Sequence, residues 1–178
     1  MTGARILVTG VTGQVARPVA VALAADNDVV GAARFRDPAA RETLEAAGVR
    51  TATLDLVRGV VGDLPDAVDY VLHFAVVKSN KWPVDLDGNV GGLALLMERF
   101  RDARAFLHCS STAVYQPDSH RAFAEDAPLG DSHRSYYLPT YSICKIAAEA
   151  VARHGARRWN LPTTIARLNV PYGDDGRR

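Results

Sequence analysis

The sequence predicts an α/β protein, a doubly wound parallel sheet with helices on both faces. Three observations carry this expectation. Short, continuously apolar segments such as Ile6-Leu7-Val8 read as strands buried on both faces. Segments of helical composition alternate with them, as the crossovers of a parallel sheet require. The first apolar run ends in Thr9-Gly10, a tight turn that opens into a helix.

Taken in order, residues 6–8 form the first strand, and residues 15–25 have the apolar density of a helix packed on a sheet. Pro18 is tolerated there because a missing N–H costs little in a first turn. Residues 29–33 are a second strand. Residues 38–47, rich in Ala, Glu and Leu, form a helix stopped by Gly48. Strands follow at 50–54 and 70–74, then a helix over 84–101 that Gly88, Gly91 and Gly92 weaken. A fifth strand covers 105–109, a long helix 140–159 with Thr140 as N-cap, and a sixth strand 163–167. Residues 116–139 break the rhythm with Asp, Ser, His, Pro and Ala. Such a segment is either a functional binding loop or a disordered insertion.

At 178 residues the chain is the size of one domain, so residues 1–178 are expected to form a single unit with a sizeable core. A net charge of +1 with no basic block argues against nucleic acid or an anionic membrane as partner. Cys109 and Cys144 are too few for a disulfide framework and suit a reducing compartment. With no secretory leader and no apolar run of membrane-spanning length, a cytoplasmic location is expected. No metal is called for.

Two local patterns carry chemistry. In the turn Thr9-Gly10-Val11-Thr12-Gly13-Gln14-Val15-Ala16, glycines let backbone amides approach a pyrophosphate at a helix N-terminus. Gly10 permits the turn, Gly13 the close approach, and Ala16 is small enough for helix to pack near strand. After the second strand come Arg34-Phe35-Arg36, with Asp37 as the first, late acid. Arginine there suits a 2′-phosphate, so NADP is favoured over NAD. Asp55-Leu56 follows the third strand, where the carboxylate either meets an adenine amino group or simply sits on a surface turn. The second pattern is Tyr141-Ser142-Ile143-Cys144-Lys145. On a helix, Tyr141 and Lys145 share one face. A fixed ammonium beside a phenol favours the phenolate and lowers its pKa, which suits a general acid/base.

Together these residues resemble the extended branch of the short-chain dehydrogenase/reductase superfamily, the NAD(P)-dependent epimerases and dehydratases. Thr9-Gly10-x-x-Gly13-x-x-Ala16 is similar to the family's glycine motif. Val71-Leu72-His73-Phe74-Ala75 resembles the end of its fourth strand, and Asn89-Val90-x-Gly92 the start of the next helix. The run from Phe106 through Ser110-Ser111-Thr112-Ala113-Val114-Tyr115 resembles the catalytic-serine strand, followed by Tyr141-x-x-x-Lys145. Arg167-Leu168-Asn169-Val170-Pro171-Tyr172-Gly173 resembles the motif leading to a substrate domain.

The resemblance implies a Rossmann-like NAD(P)-binding domain and an oxidoreductase or epimerase acting at a secondary alcohol or ketone, with a nucleotide sugar as the small-molecule substrate. Tyr141 would exchange the substrate proton, Lys145 would hold the nicotinamide ribose, and Ser111 would donate a hydrogen bond to the reacting oxygen. The cofactor would touch Gly10, Thr12, Gly13, Gln14, Val15, Arg34, Asp55, Leu56, Phe74, Ala75, Asn89, Tyr141 and Lys145. Asn89 either supports Lys145 through water or serves packing, and His73 is read as a satisfied strand-end histidine. His120, His133, Arg134, Tyr136 and Tyr137 are candidate substrate contacts, while Arg167 and Asn169 either approach a substrate phosphate or end a strand. Thr112-Ala113 stands where 4,6-dehydratases carry Asp-Glu, which argues against water elimination. Relatives continue past the Tyr172-Gly173 motif into a substrate lobe, so the chain is expected to be the cofactor half. They often dimerise through the helix bearing Tyr141 and Lys145, which makes a homodimer an expectation. Two other readings stay open: a dinucleotide sensor without catalysis, and a fragment that binds cofactor but turns nothing over.

Overall fold

The computed structural model describes residues 2–118, 122–131 and 138–171. Six strands, β1 (Arg5–Thr9), β2 (Asp28–Ala33), β3 (Arg50–Thr53), β4 (Tyr70–His73), β5 (Ala105–Ser111) and β6 (Thr163–Leu168), pair in the order β3-β2-β1-β4-β5-β6. Every pairing is parallel, with Leu7 opposite Val30 on one side and Val71 on the other. Winding reverses between β1 and β4, so a crevice opens where their C-terminal ends diverge. In open α/β sheets that crevice is where ligands bind.

Both faces are covered, as the unbroken apolar strands required. On one face Ile6, Val8 and Val29 pack on Ala16 and Ala20 of α1 (Ala16–Ala24) and Leu44 of α2 (Pro38–Ala46). On the other, Leu7, Val71 and Phe106 pack on Leu93, Leu96 and Met97 of α4 (Gly92–Arg99) and on Ala148 and Ala152 of α5 (Tyr141–Trp159). Alternate residues of one strand thus feed two cores. The termini follow from local chemistry. Asp37 caps α2 by accepting from the Ala39 amide at 3.0 Å, and left-handed Gly48 follows its end. At the C-terminus of α5, Asn160 is left-handed, and Arg157 and Arg158 complement the helix dipole.

Two expectations are corrected. The single helix over 84–101 is broken into α3 (Trp82–Leu86), a π-helical turn (Asp87–Gly91) and α4. A Cβ on Gly88 would lie 2.5 Å from Val77 Cγ2, so glycine lets this turn press against the chain after β4. Thr140 does not cap α5 with its side chain; its hydroxyl donates to Asp85 Oδ2 at 2.6 Å. The predicted fifth strand also runs further, to Ser111. No helix among the described residues is long and apolar enough to cross a membrane.

Candidate active site

Gly10 sits at the switch point with φ +71, a conformation glycine adopts without penalty. Its amide donates to the Ala32 carbonyl at 2.8 Å, and the Gly13 amide to the Gly10 carbonyl at 2.8 Å, which folds the turn back on itself. A Cβ on Gly10 would stand 2.8 Å from Ala75 Cα and N. The turn and the chain leaving β4 therefore touch backbone to backbone. Thr9 tightens the same junction: its hydroxyl accepts from the Ala75 amide at 3.2 Å and lies 2.8 Å from His73 Nδ1.

A cleft of about 210 Å³ opens above this floor, lined by Gly10, Thr12, Gly13, Arg34, Asp55, Leu56, Phe74 and Ala75 among others. Of the residues the sequence proposed for cofactor contact, Gln14, Val15, Asn89, Tyr141 and Lys145 lie outside this lining; Gln14 faces a groove between α1 and α2. A neighbouring cavity of about 570 Å³ is lined by Arg34, Arg36, Arg58 and Lys78, with Asp55. Left-handed Phe35 (φ 43), covered by the Arg41 guanidinium 4.6 Å from its ring centroid, turns the chain so that Arg34 and Arg36 both face this cavity. Asp55 also caps a turn, accepting from the Val57 and Arg58 amides at 3.1 and 3.3 Å.

Ser110 and Ser111 point to opposite faces, as alternation along β5 dictates, and Thr112 has left the strand for a 3-10 turn (Thr112–Val114). Ser110 is buried and donates to Glu149 Oε1 at 2.6 Å. Thr112 reaches Asn169 Oδ1 at 3.3 Å. Ser111 accepts from the Ala113 amide at 3.2 Å and shares a hydrogen bond with the Tyr141 phenol. Lys145 is 5% exposed and donates to the Cys109 carbonyl at 2.7 Å. Its Nζ lies 5.9 Å from the Tyr141 ring centroid, while Lys78 Nζ lies nearer, at 5.0 Å.

The electrostatics correct one expectation. Burial raises the Tyr141 phenol above its ordinary value, and the opposing hydrogen bond from Ser111 does not overcome it. In the free chain the phenol is therefore held protonated, with Lys145 turned to the Cys109 carbonyl. Lys145 itself is lowered to about 8, first by burial and then by the like charge of Lys78. Beneath it lie His73 and His108, stacked at 5.5 Å. Burial and the lysine charge push His108 to about 3, and among the described residues neither of its ring nitrogens has a hydrogen-bond partner.

The Asn89 side chain is engaged by backbone partners. It accepts from the Val77 amide at 2.9 Å and donates to the Val77 and Asp85 carbonyls at 2.8 Å each, so it pins the wall of the cleft. Arg167 is engaged too: its guanidinium forks onto Glu149 at 2.9 and 2.8 Å, and Nη1 donates to the Glu125 carbonyl at 2.7 Å. It thus ties the segment after β5 to α5. His120, His133, Arg134, Tyr136, Tyr137, Tyr172 and Gly173 lie outside the described residues. Sequence reasoning missed Lys78, Asp85 and Glu149. Only Glu149 left a signal, extending the spacing of Tyr141 and Lys145 by one more helical step.

The sheet order, with a glycine turn at its switch point, defines the class: a Rossmann-like α/β domain. Within that class the chain belongs to the NAD dependent epimerase/dehydratase family, whose model matches residues 6–178. Among solved structures it is similar to UDP-glucuronic acid 4-epimerase from Bacillus cereus in complex with NAD (TM-score 0.80, 23% identity, 95% of this chain and 57% of that one). It is similar also to UDP-N-acetylglucosamine 4-epimerase from Methanobrevibacter ruminantium M1 (0.76, 18%, 94% and 55%). A third is the dTDP-glucose 4,6-dehydratase DesIV from Streptomyces venezuelae (0.73, 24%, 92% and 55%). At these identities the likeness is one of fold. The chain spans a little over half the length of each. No curated protein sequence matches.

Proposed function

We propose that the chain is the cofactor-binding half of an NAD(P)-dependent oxidoreductase or epimerase acting at a secondary alcohol or ketone of a nucleotide sugar. The observation that carries this is the meeting of Ser111, Tyr141 and Lys145 at one end of the sheet, beside a cleft floored by Gly10 and Gly13. The residues fit a dinucleotide. The cradle admits no side chain at Gly10, and Gly10, Thr12 and Gly13 line the cleft just ahead of the N-terminal end of α1. When bound, the nicotinamide supplies the hydride acceptor and donor. Tyr141 gives or takes the proton at the substrate oxygen, and Ser111 orients that oxygen and stabilises charge on it. Because burial keeps the phenol protonated in the free chain, Tyr141 is set as an acid.

NADP is the proposed cofactor. Arg34, Arg36, Arg58 and Lys78 place four cations around a single carboxylate, which suits a 2′-phosphate better than a ribose hydroxyl. A full turnover is proposed of a longer protein, because this chain spans 57% of the Bacillus cereus epimerase. Titration with NADPH and NADH, followed by cofactor fluorescence, tests the reading. NADPH should bind more tightly, Arg34→Ala should weaken it about tenfold, and Tyr141→Phe should leave it within about twofold. In a chain extended by a substrate lobe, Tyr141→Phe should cost about 10²- to 10⁴-fold in turnover. Tighter NADH binding would overturn the cofactor assignment, and binding of neither would overturn the functional reading.

A further inference from the structure

Asp85 lies in the middle of α3 and is fully buried, yet its carboxylate faces two elements that the proposed chemistry uses. Oδ1 accepts from the Ser79 amide at 2.8 Å and the Ser79 hydroxyl at 2.7 Å; Oδ2 accepts from the Asn80 amide at 3.0 Å. Oδ2 also accepts from the Thr140 hydroxyl at 2.6 Å. Three donors thus come from the segment leaving β4, and the fourth from the residue immediately before Tyr141. Asn80 adopts a left-handed backbone, φ +62, to bring its amide there. One helical turn on, Asn89 holds both backbone groups of Val77.

The segment so held is the wall of both cavities. Val77 lines the cleft and the outer cavity, Lys78 and Ser79 line the outer one, and Lys78 carries its ammonium to 5.0 Å from the Tyr141 ring centroid. Thr140, 2% exposed, gives up the capping role its position offers in order to reach across to Asp85. A buried carboxylate is retained only where charge-assisted donors satisfy it. Here those donors are shared between the cleft wall and the root of the tyrosine helix. We propose that Asp85 is a positioning residue that couples the cofactor-facing segment Val77–Asn80 to Tyr141, so that contact in the cleft is felt at the phenol. The coupling rests on the reading that the cleft holds a nicotinamide cofactor and that Tyr141 is the acid/base group.

Thr140→Val keeps the side-chain shape and removes the donor, while Thr140→Ser restores the donor. Two readouts apply: NADPH and NADH affinity by fluorescence, and the midpoint of the Tyr141 titration. The midpoint comes from near-ultraviolet absorbance, taken as the difference between each variant and the same variant carrying Tyr141→Phe. Thr140→Val should weaken cofactor binding about three- to tenfold although Thr140 lines neither cavity. It should also lower the Tyr141 midpoint, because a loosened helix root lets water reach a phenol that burial had raised. Thr140→Ser should reverse both. A merely structural role would lower the melting temperature and leave the midpoint in place. Unchanged affinity with an unchanged midpoint, or no rescue by serine, would overturn the proposal. If Thr140→Val does not fold, Ser79→Ala removes a donor on the opposite side of the carboxylate and is read by the same two measurements, with the same overturning outcome. Failure of the unsubstituted chain to bind either cofactor would instead overturn the reading of the cleft, and the midpoint would still test the link between Asp85 and Thr140.

Discussion

At Gly10 the absence of one methyl group lets the turn after β1 lie directly on the chain leaving β4. The residue has φ +71, and a Cβ would come within 2.8 Å of the Ala75 backbone, which cannot move aside as a flexible side chain could. Gly10→Ala should therefore cost about 3 kcal/mol or more, from left-handed strain plus the forced separation. It should also abolish NADPH binding; urea unfolding and the fluorescence titration check the two effects separately. Ser111 shows how fine the positional discrimination is. Its neighbours Ser110 and Thr112 carry the same functional group yet go to Glu149 and Asn169. A hydroxyl within three consecutive positions is readable in the sequence as chemistry. Its direction is set by the strand that carries it.

The element that organises the site is α5. Tyr141, Lys145 and Glu149 succeed one another along one face, from the N-terminal end of the helix inward. Glu149 is fully buried, accepts from Ser110 and is clasped by Arg167, whose side chain is 11% exposed. Its second partner, Arg153, is 46% exposed and contributes little. Removing the charge from one member of a buried pair leaves the other uncompensated, so Glu149→Gln should destabilise the chain by about 3–5 kcal/mol. Denaturant unfolding measures this, and Arg153→Ala should fall within about 0.5 kcal/mol of the unsubstituted chain. The same pair fixes the segment after β5 through the Glu125 carbonyl, so Glu149→Gln should also increase proteolysis near residue 125.

For the whole molecule, two cores on opposite faces of one sheet leave a polar seam beneath Lys145, where His73 and His108 stack. His108 takes a proton near pH 6.5 in the unfolded chain but only near 3 when folded, because burial and the lysine charge oppose the imidazolium. Over that window the unfolded state binds more protons, so stability falls as pH falls from about 6.5. Across the whole interval the loss is on the order of 5 kcal/mol. His108→Leu should flatten the acid limb of a stability–pH curve measured by urea unfolding. At pH 7 it should be neutral or stabilising, since two orphaned ring nitrogens are removed from the interior.

By itself the sequence determined the alternation of strands and helices, the glycine turn after β1, and the place of Tyr141 and Lys145 one turn apart on a single helix. Each of these is written in neighbours a few residues apart, through apolar period, the conformational freedom of glycine, or the pitch of a helix. Tertiary structure alone decided the partners that lie far apart in the chain. Thr140 looks like a cap from its neighbours, yet 55 residues away a buried carboxylate offers its hydroxyl a charged acceptor. Arg167 looks available for an anion until Glu149 and the Glu125 carbonyl come to meet it. The break of one predicted helix into α3, a π turn and α4 depends likewise on Val77 pressing on Gly88. A polar side chain takes the strongest partner that folding brings within reach, and that partner is chosen by the packing of the sheet, not by the residues beside it.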